Sequence, residues 1–244
     1  MTSYIAFLNI LLKDMKNYYL KPPNISWGII FPFAWMLMMF LKTKTAFDII
    51  EVFPGIVAMS VLFGTTSMLS VTITFERKSR SFERLLLAPI KIEILVFAKI
   101  AGAILFGIFN SIIPVLISVF YFKAAVSSWL FLFVGIIFLS VISTLLGLFI
   151  SVSASEVFEA QTYSNFFRFP MIFLCGLFVP ITVLPVYIRP VSYILPVTYG
   201  VDVLRYSINE TNILALPISV ILLSIFCVVL FYFSIFNIKQ KWII

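Results

Sequence analysis

Apolar residues run along this chain in long stretches broken by short charged clusters. Six stretches, at 25–41, 52–75, 94–122, 129–152, 166–183 and 213–236, approach or exceed the roughly 20 residues a helix needs to cross hydrocarbon. They do not alternate polar and apolar as barrel strands do. Helices that satisfy their own backbone groups in lipid are therefore expected, six of them. Three further segments have a different pattern. In residues 1–21, wound as a helix, Tyr4, Leu8, Leu11, Leu12, Met15 and Tyr19 share one face, and Asn9, Lys13 and Asn17 share the other. This predicts an amphipathic helix in the plane of the interface, with a cytosolic tail as the alternative. Pro22 and Pro23 close it. In residues 76–89, Phe82 and Leu86 fall with Phe75 on one face, while Glu76, Arg77, Arg80, Glu83 and Arg84 fall on the other. Glu76 and Arg80 are spaced as an i,i+4 pair, and Pro89 ends the element. Such a short helix along the membrane face is either a headgroup-binding loop or a docking surface. In residues 183–212, Pro185, Pro190 and Pro196, with Pro180 just before, forbid a continuous span. The segment is too long for a turn and too apolar for a solvated loop, which predicts a re-entrant or interfacial helical hairpin before the last span.

Composition makes the membrane reading firm. The chain has 244 residues, 62% hydrophobic and 11% charged, and its mean hydropathy is +1.15, well past the usual soluble level. The net charge of +7 is explained by where the basic residues lie. Lys13, Lys16 and Lys21 precede the first span; Arg77, Lys78, Arg80, Arg84, Lys91 and Lys99 cluster between the second and third; Lys239 and Lys241 follow the last. With six spans these fall on one side, which should be the cytoplasm. The other side holds Lys42, Lys44, Lys123, Arg189 and Arg205, thinned by Asp48, Glu51, Asp202 and Glu210. Both termini are expected in the cytoplasm of a prokaryotic cell, the chain lying in its plasma (inner) membrane. Nucleic acid is not an expected partner; membrane lipid is. The first residues do not read as a signal peptide, because Asn9, Lys13 and Asp14 interrupt them.

The chain has no histidine, and Cys175 and Cys227 each sit in an apolar run, so neither metal binding nor nucleophilic catalysis is expected. It contains no Gly-x-x-x-x-Gly-Lys-Ser/Thr loop. No cofactor and no catalytic residue are expected. Small residues recur at helical spacing at Ala103, Gly107 and Ser111 and at Ser143, Gly147, Ser151 and Ser155, which favours close helix packing. Pro114 should kink the third span. Arg168, inside the fifth span, either contacts an anionic headgroup or substrate or snorkels to the interface; Lys99 should snorkel, and Glu156 and Glu159 should be solvated.

Three segments together resemble one family. The run Phe53-Pro-Gly-Ile-Val-Ala-Met-Ser-Val-Leu-Phe63, then Glu76-Arg77, then Phe82-Glu-Arg-Leu-Leu-Leu-Ala-Pro89, is similar to the second span and following loop of ABC type-2 (ABC-2) exporter permeases. Pro196-Val-Thr-Tyr199 followed by Arg205 resembles the stretch before that family's last span. The family usually has glycine where Arg80 or Ser81 stands here. The resemblance implies a single ABC-2 transmembrane domain over 1–244, all-α, with a coupling helix at 76–89 that seats in a groove of an ABC ATPase subunit. On that basis Glu76, Arg77, Arg80, Phe82, Glu83, Arg84 and Leu86 would dock the ATPase. Pro180, Pro185, Pro196, Tyr199 and Arg205 would belong to the outer gate region. It also implies a second permease copy, and ATP hydrolysis on the partner rather than on this chain. The Lys21-Pro-Pro entry and the Phe53-Pro-Gly-Ile-Val-Ala-Met-Ser run resemble more closely the branch that exports drugs, lipids or natural products. Export of a polysaccharide or lipid-linked glycan is the alternative. A secondary transporter fits less well, since no internal repeat or mid-span acidic coupling site is visible.

Overall fold

The computed structural model describes residues 2–42, 49–88 and 90–242, and among these every regular element is helical. Ten α-helices follow in order: α1 (Thr2–Asp14), α2 (Pro22–Lys42), α3 (Ile49–Lys78), α4 (Ser81–Leu86), α5 (Ile92–Leu116), α6 (Trp129–Ser153), α7 (Val157–Leu174), α8 (Arg189–Ile194), α9 (Pro196–Asn209) and α10 (Leu216–Trp242). A π-helical turn, Met15–Tyr19, extends α1, and another, Ile117–Tyr121, extends α5 just after Pro114. Proline removes one rung of the hydrogen-bond ladder, and the wider turn follows that break. Lys44, Asp48 and Pro89 lie outside the described residues.

Among the described residues, four helices are long and apolar enough to cross a membrane: Ile50–Lys78, Ile92–Tyr121, Trp129–Ser153 and Leu216–Ile238. They correspond to the second, third, fourth and sixth expected spans. The first expected span falls in α2, Pro22–Lys42. The fifth is displaced. Instead of occupying 166–183, its helix starts at Val157 and ends at Leu174. Glu156 and Glu159 form a capping box that starts α7 nine residues early. Gly176, at φ 75°, then turns the chain where an L-residue would be strained.

The bundle is built around α3, which packs against α2, α5, α6, α7 and α9. Lipid is as apolar as leucine, so these helices are held by close fit more than by the hydrophobic effect. Both small-residue seams provide that fit. Gly147 lies over the Thr66 backbone carbonyl, where a Cβ would come within 2.5 Å of the oxygen, and Gly107 nests between Thr65 and Ser140. By contrast α10 leaves Ile221, Val228 and Tyr232 exposed, as a helix facing lipid would.

Candidate functional site

The corner between α3 and α5 differs from its expected form. A continuous helix over 76–87 does not occur: α3 ends at Lys78, and Arg80 takes a left-handed conformation, φ 55° and ψ 13°. This is one of the two positions, Arg80 or Ser81, at which the resemblance led a glycine to be expected. The Ser79 and Ser81 hydroxyls each donate to the Glu76 carbonyl at 3.2 Å, holding the turn. The short α4 then folds back with Phe82 only 2% exposed, inside the apolar cluster that includes Ile73, Leu95 and Ile238. Phe82 therefore ties α4 to its own bundle, and the shared face with Phe75 is broken, since Phe75 is 49% exposed. Leu86 is half-buried, and Glu83, Arg84 and Leu87 face outward, Leu87 at 86% exposure. Arg80 is exposed, while the Arg77 guanidinium reaches the Ser151 carbonyl at 3.4 Å. Next to it, Lys78 pairs with Glu156 at the start of α7.

Behind this corner lies a buried ion cluster that periodicity alone did not reveal. Lys99 on α5 sits 2.9 Å from an Asp14 carboxylate oxygen and 2.5 Å from one of Glu76. Lys13 sits 2.6 Å from the other Glu76 oxygen and 3.3 Å from the other Asp14 oxygen. The side chains of Asp14, Glu76 and Lys99 are fully buried; that of Lys13 is 32% exposed. The four charges sum to zero, which is what makes such burial tolerable. Two expectations are corrected here. Lys99 does not snorkel, because two carboxylates meet it inside, and Glu76 is neither outward-facing nor paired with Arg80. Burial pulls the Lys13 ammonium down, but its hydrogen bond to Glu76 and the nearby charges of Asp14 and Glu76 outweigh this and raise it above lysine's ordinary 10.5. The inward face of α1 consequently follows Ile10 and Asp14, one turn apart, while Tyr4 and Leu12 of the expected apolar stripe are exposed. The available signal was Asp14 itself, an acid one turn beyond an apolar residue with no basic partner placed in the core.

Arg168 on α7 is 3% exposed and does not snorkel. Its guanidinium donates to Asn165 Oδ1 at 2.5 Å, to the Ser164 carbonyl at 3.3 Å and to the Phe63 carbonyl at 3.4 Å, and it lies 4.3 Å over the Phe63 ring. None of these partners is a carboxylate. One turn away, Ser164 bridges to Ser70 of α3 at 2.8 Å. Between α6 and α7 runs a crevice of about 400 Å³ walled by Phe149, Ile150, Tyr163, Phe166 and Phe167. Its Ser153 and Thr162 hydroxyls donate to their own helices, to the Phe149 and Phe158 carbonyls.

At the opposite end, the proline-rich segment folds into a 3-10 turn, Ile181–Val183, followed by α8 and α9. Pro180 precedes that turn, Pro185 is exposed, and Pro196 begins α9, where its missing N–H is not needed. The Tyr199 hydroxyl donates to the Tyr193 carbonyl at 2.5 Å, and the Arg205 guanidinium donates to the Gly176 carbonyl at 2.7 Å. Gly55 of the Phe53-Pro-Gly run lies directly against the Leu177 carbonyl. Asp202, which the sequence did not single out, accepts from the Ile213 and Leu214 amides and the Ser219 hydroxyl at the start of α10.

Residues 6–209 match the family model described as ABC-2 type transporter. The "Inner membrane transport permease YadH" of Escherichia coli K12 is 26% identical over 188 residues, covering 77% of this chain and 73% of that protein. The "Probable multidrug ABC transporter permease YbhR" of the same strain is 26% identical over 157 residues, covering 63% of this chain and 42% of that one.

Proposed function

The chain belongs to the ABC-2 type transporter family and is a transport permease; on that premise we propose that it is the membrane pathway of an exporter driven by ATP hydrolysis on a separate ABC ATPase. The observation that carries this reading is the outward face of α4, where Glu83, Arg84 and Leu87 are exposed while Phe82 fastens the helix from behind. A short helix held at the end of the central α3, with a charged and apolar outer face, is suited to take a push from a soluble partner. We assign this end to the cytoplasm, with both termini on the same side, α2 and α7 completing six spans, and α8 and α9 forming the outer hairpin.

The exported molecule on this reading is an amphiphile of the drug, lipid or natural-product kind. The α6–α7 crevice supports that choice over a glycan. Its walls are aromatic and aliphatic, and its Ser153 and Thr162 hydroxyls are already engaged. A sugar chain would lose water there and gain few hydrogen bonds in return. The name of YbhR points the same way. Arg168 adds a cation at the α3–α7 contact with no carboxylate against it among the described residues, which favours an anionic headgroup or substrate. A second copy completes the pathway; Phe158, Phe166 and Phe173 on α7, exposed by 83, 71 and 53%, form an aromatic face for it to cover.

The test is co-purification with the cognate ABC ATPase. Reversing Glu83→Lys and Arg84→Glu together should leave membrane insertion intact and abolish ATPase association, because repulsion is introduced at two points of one small interface. Association and ATP hydrolysis unchanged in the double variant would refute the docking role.

A further inference from the structure

We infer that the buried quartet of Lys13, Asp14, Glu76 and Lys99 joins α1, the α3–α4 corner and the first turns of α5 into one moving body, so that α1 is a positioning element for the docking helix. The inference rests on α4 being the ATPase contact.

The quartet is a closed ring. Each carboxylate meets both lysines, through contacts of 2.6, 3.3, 2.9 and 2.5 Å. Shifting any one of the three elements therefore breaks at least two charge-assisted contacts together. Three of the four side chains have no access to solvent, so water cannot replace what is lost, and separation leaves bare charge in a low-dielectric interior. Apolar helix contacts in a membrane have no such penalty, because lipid replaces a departing neighbour. The ring thus gives α1 one defined position where packing alone would allow many.

Glu76 links this ring to α4 directly. Its side chain binds Lys13 and Lys99, and its backbone carbonyl accepts the Ser79 and Ser81 hydroxyls that shape the turn into α4. Aromatic contacts run in parallel with the ring: Tyr19 stacks on Phe106 of α5 at 5.4 Å, Phe7 lies 5.8 Å from Phe97 of α5, and Tyr18 is edge-on to Phe75 of α3 at 6.3 Å. A displacement of α4 reaches α1 and α5 through Glu76, in the last turn of α3. In this arrangement α1 does more than float on the lipid surface: it moves with the corner and braces it against tilting.

The experiment uses the full complex with its ATPase in lipid nanodiscs, with Cys175 and Cys227 replaced by alanine. Spin labels at Leu12, exposed, and at Ala88, partly exposed just past α4 and outside the docking face, report the distance from α1 to the end of α4. That distance is expected to stay the same between nucleotide-free and vanadate-trapped states. In the variant Lys13→Met, Asp14→Asn, Glu76→Gln and Lys99→Met all four charges go together, so no charge is left orphaned. There the distance is expected to broaden and to change with nucleotide. Thiol labelling of Val186→Cys, at the far end and exposed, should lose its response to ATP while the ATPase stays bound. A nucleotide-dependent Leu12–Ala88 distance in the otherwise native complex overturns the inference, and this arm stands even if the neutral variant does not accumulate. So does a neutral variant that keeps both the fixed distance and the ATP response at Val186→Cys. If instead the Glu83→Lys, Arg84→Glu double variant still holds the ATPase, it is the docking assignment of α4 that fails.

Discussion

Lys99 and Arg168 are both buried cations, yet they are held in opposite ways, and substitution should separate them. Lys99 sits between Asp14 and Glu76, so Lys99→Met leaves two carboxylates facing Lys13 alone. A loss of about 3–5 kcal/mol is expected, read as a large drop in thermal unfolding temperature in detergent. Arg168 has only neutral oxygen partners and an aromatic face, so Arg168→Met orphans no charge. Its stability should stay within about 1 kcal/mol of the parent, while retention of anionic amphiphiles falls; equal destabilisation by the two substitutions would contradict this contrast. Arg80 is a third case. Its exposed side chain occupies a left-handed backbone that a non-glycine residue adopts only under strain. Arg80→Gly should stabilise the corner by a net of about 0.5–1 kcal/mol, the relief of strain exceeding the added chain entropy, unless the guanidinium is needed by the ATPase. Unfolding with and without the ATPase distinguishes the two.

Among the elements, α3 and α6 depend most on close approach. Gly147 lets the Thr66 carbonyl come so near that a side chain has no room, and the obstacle is backbone, which cannot swing aside. Gly147→Val should therefore lower stability by about 1–3 kcal/mol and reduce the amount of folded permease recovered, as judged by monodispersity on size exclusion. Gly107→Ala is a milder probe, because the atoms it meets belong to the Thr65 and Ser140 side chains. The start and stop of α7 show a second kind of control. A capping box sets its first turn, and a left-handed Gly176 sets its end. Hydropathy placed this helix nine residues too late because it weighs apolar content and ignores caps.

For the whole molecule, the sidedness proposed for the bundle has a direct check. Leu87, which caps the end of α4, and Val186 in the proline-rich segment are both highly exposed and sit at opposite ends of the chain's long helices. Cysteines at these positions should label from opposite sides of the membrane with an impermeant thiol reagent, Val186→Cys in intact cells and Leu87→Cys only in inverted vesicles. Labelling of both from one side would overturn the proposed topology. The assembled exporter should contain two permeases for two ATPases, measurable by native mass spectrometry.

The amino-acid sequence by itself determined that this is a helical membrane protein with a short helix between its second and third long apolar runs and a proline-broken segment before the last. These features depend on local composition and on period, and lipid solvation acts on each segment separately. It also carried the family, through motifs whose order along the chain is preserved. The tertiary structure alone decided which polar residues meet. Glu76 lies 63 residues from Lys13, and Asp14 lies 85 from Lys99, and no periodicity links such positions. It decided that Phe82 faces inward and that Arg80 takes the glycine conformation, because the corner must fold back onto Ile73 and Leu95. Charges that seemed bound for water ended in the core for one physical reason: an interior pair of carboxylates and lysines is stable only when all its members arrive together, and only the folded bundle brings them there.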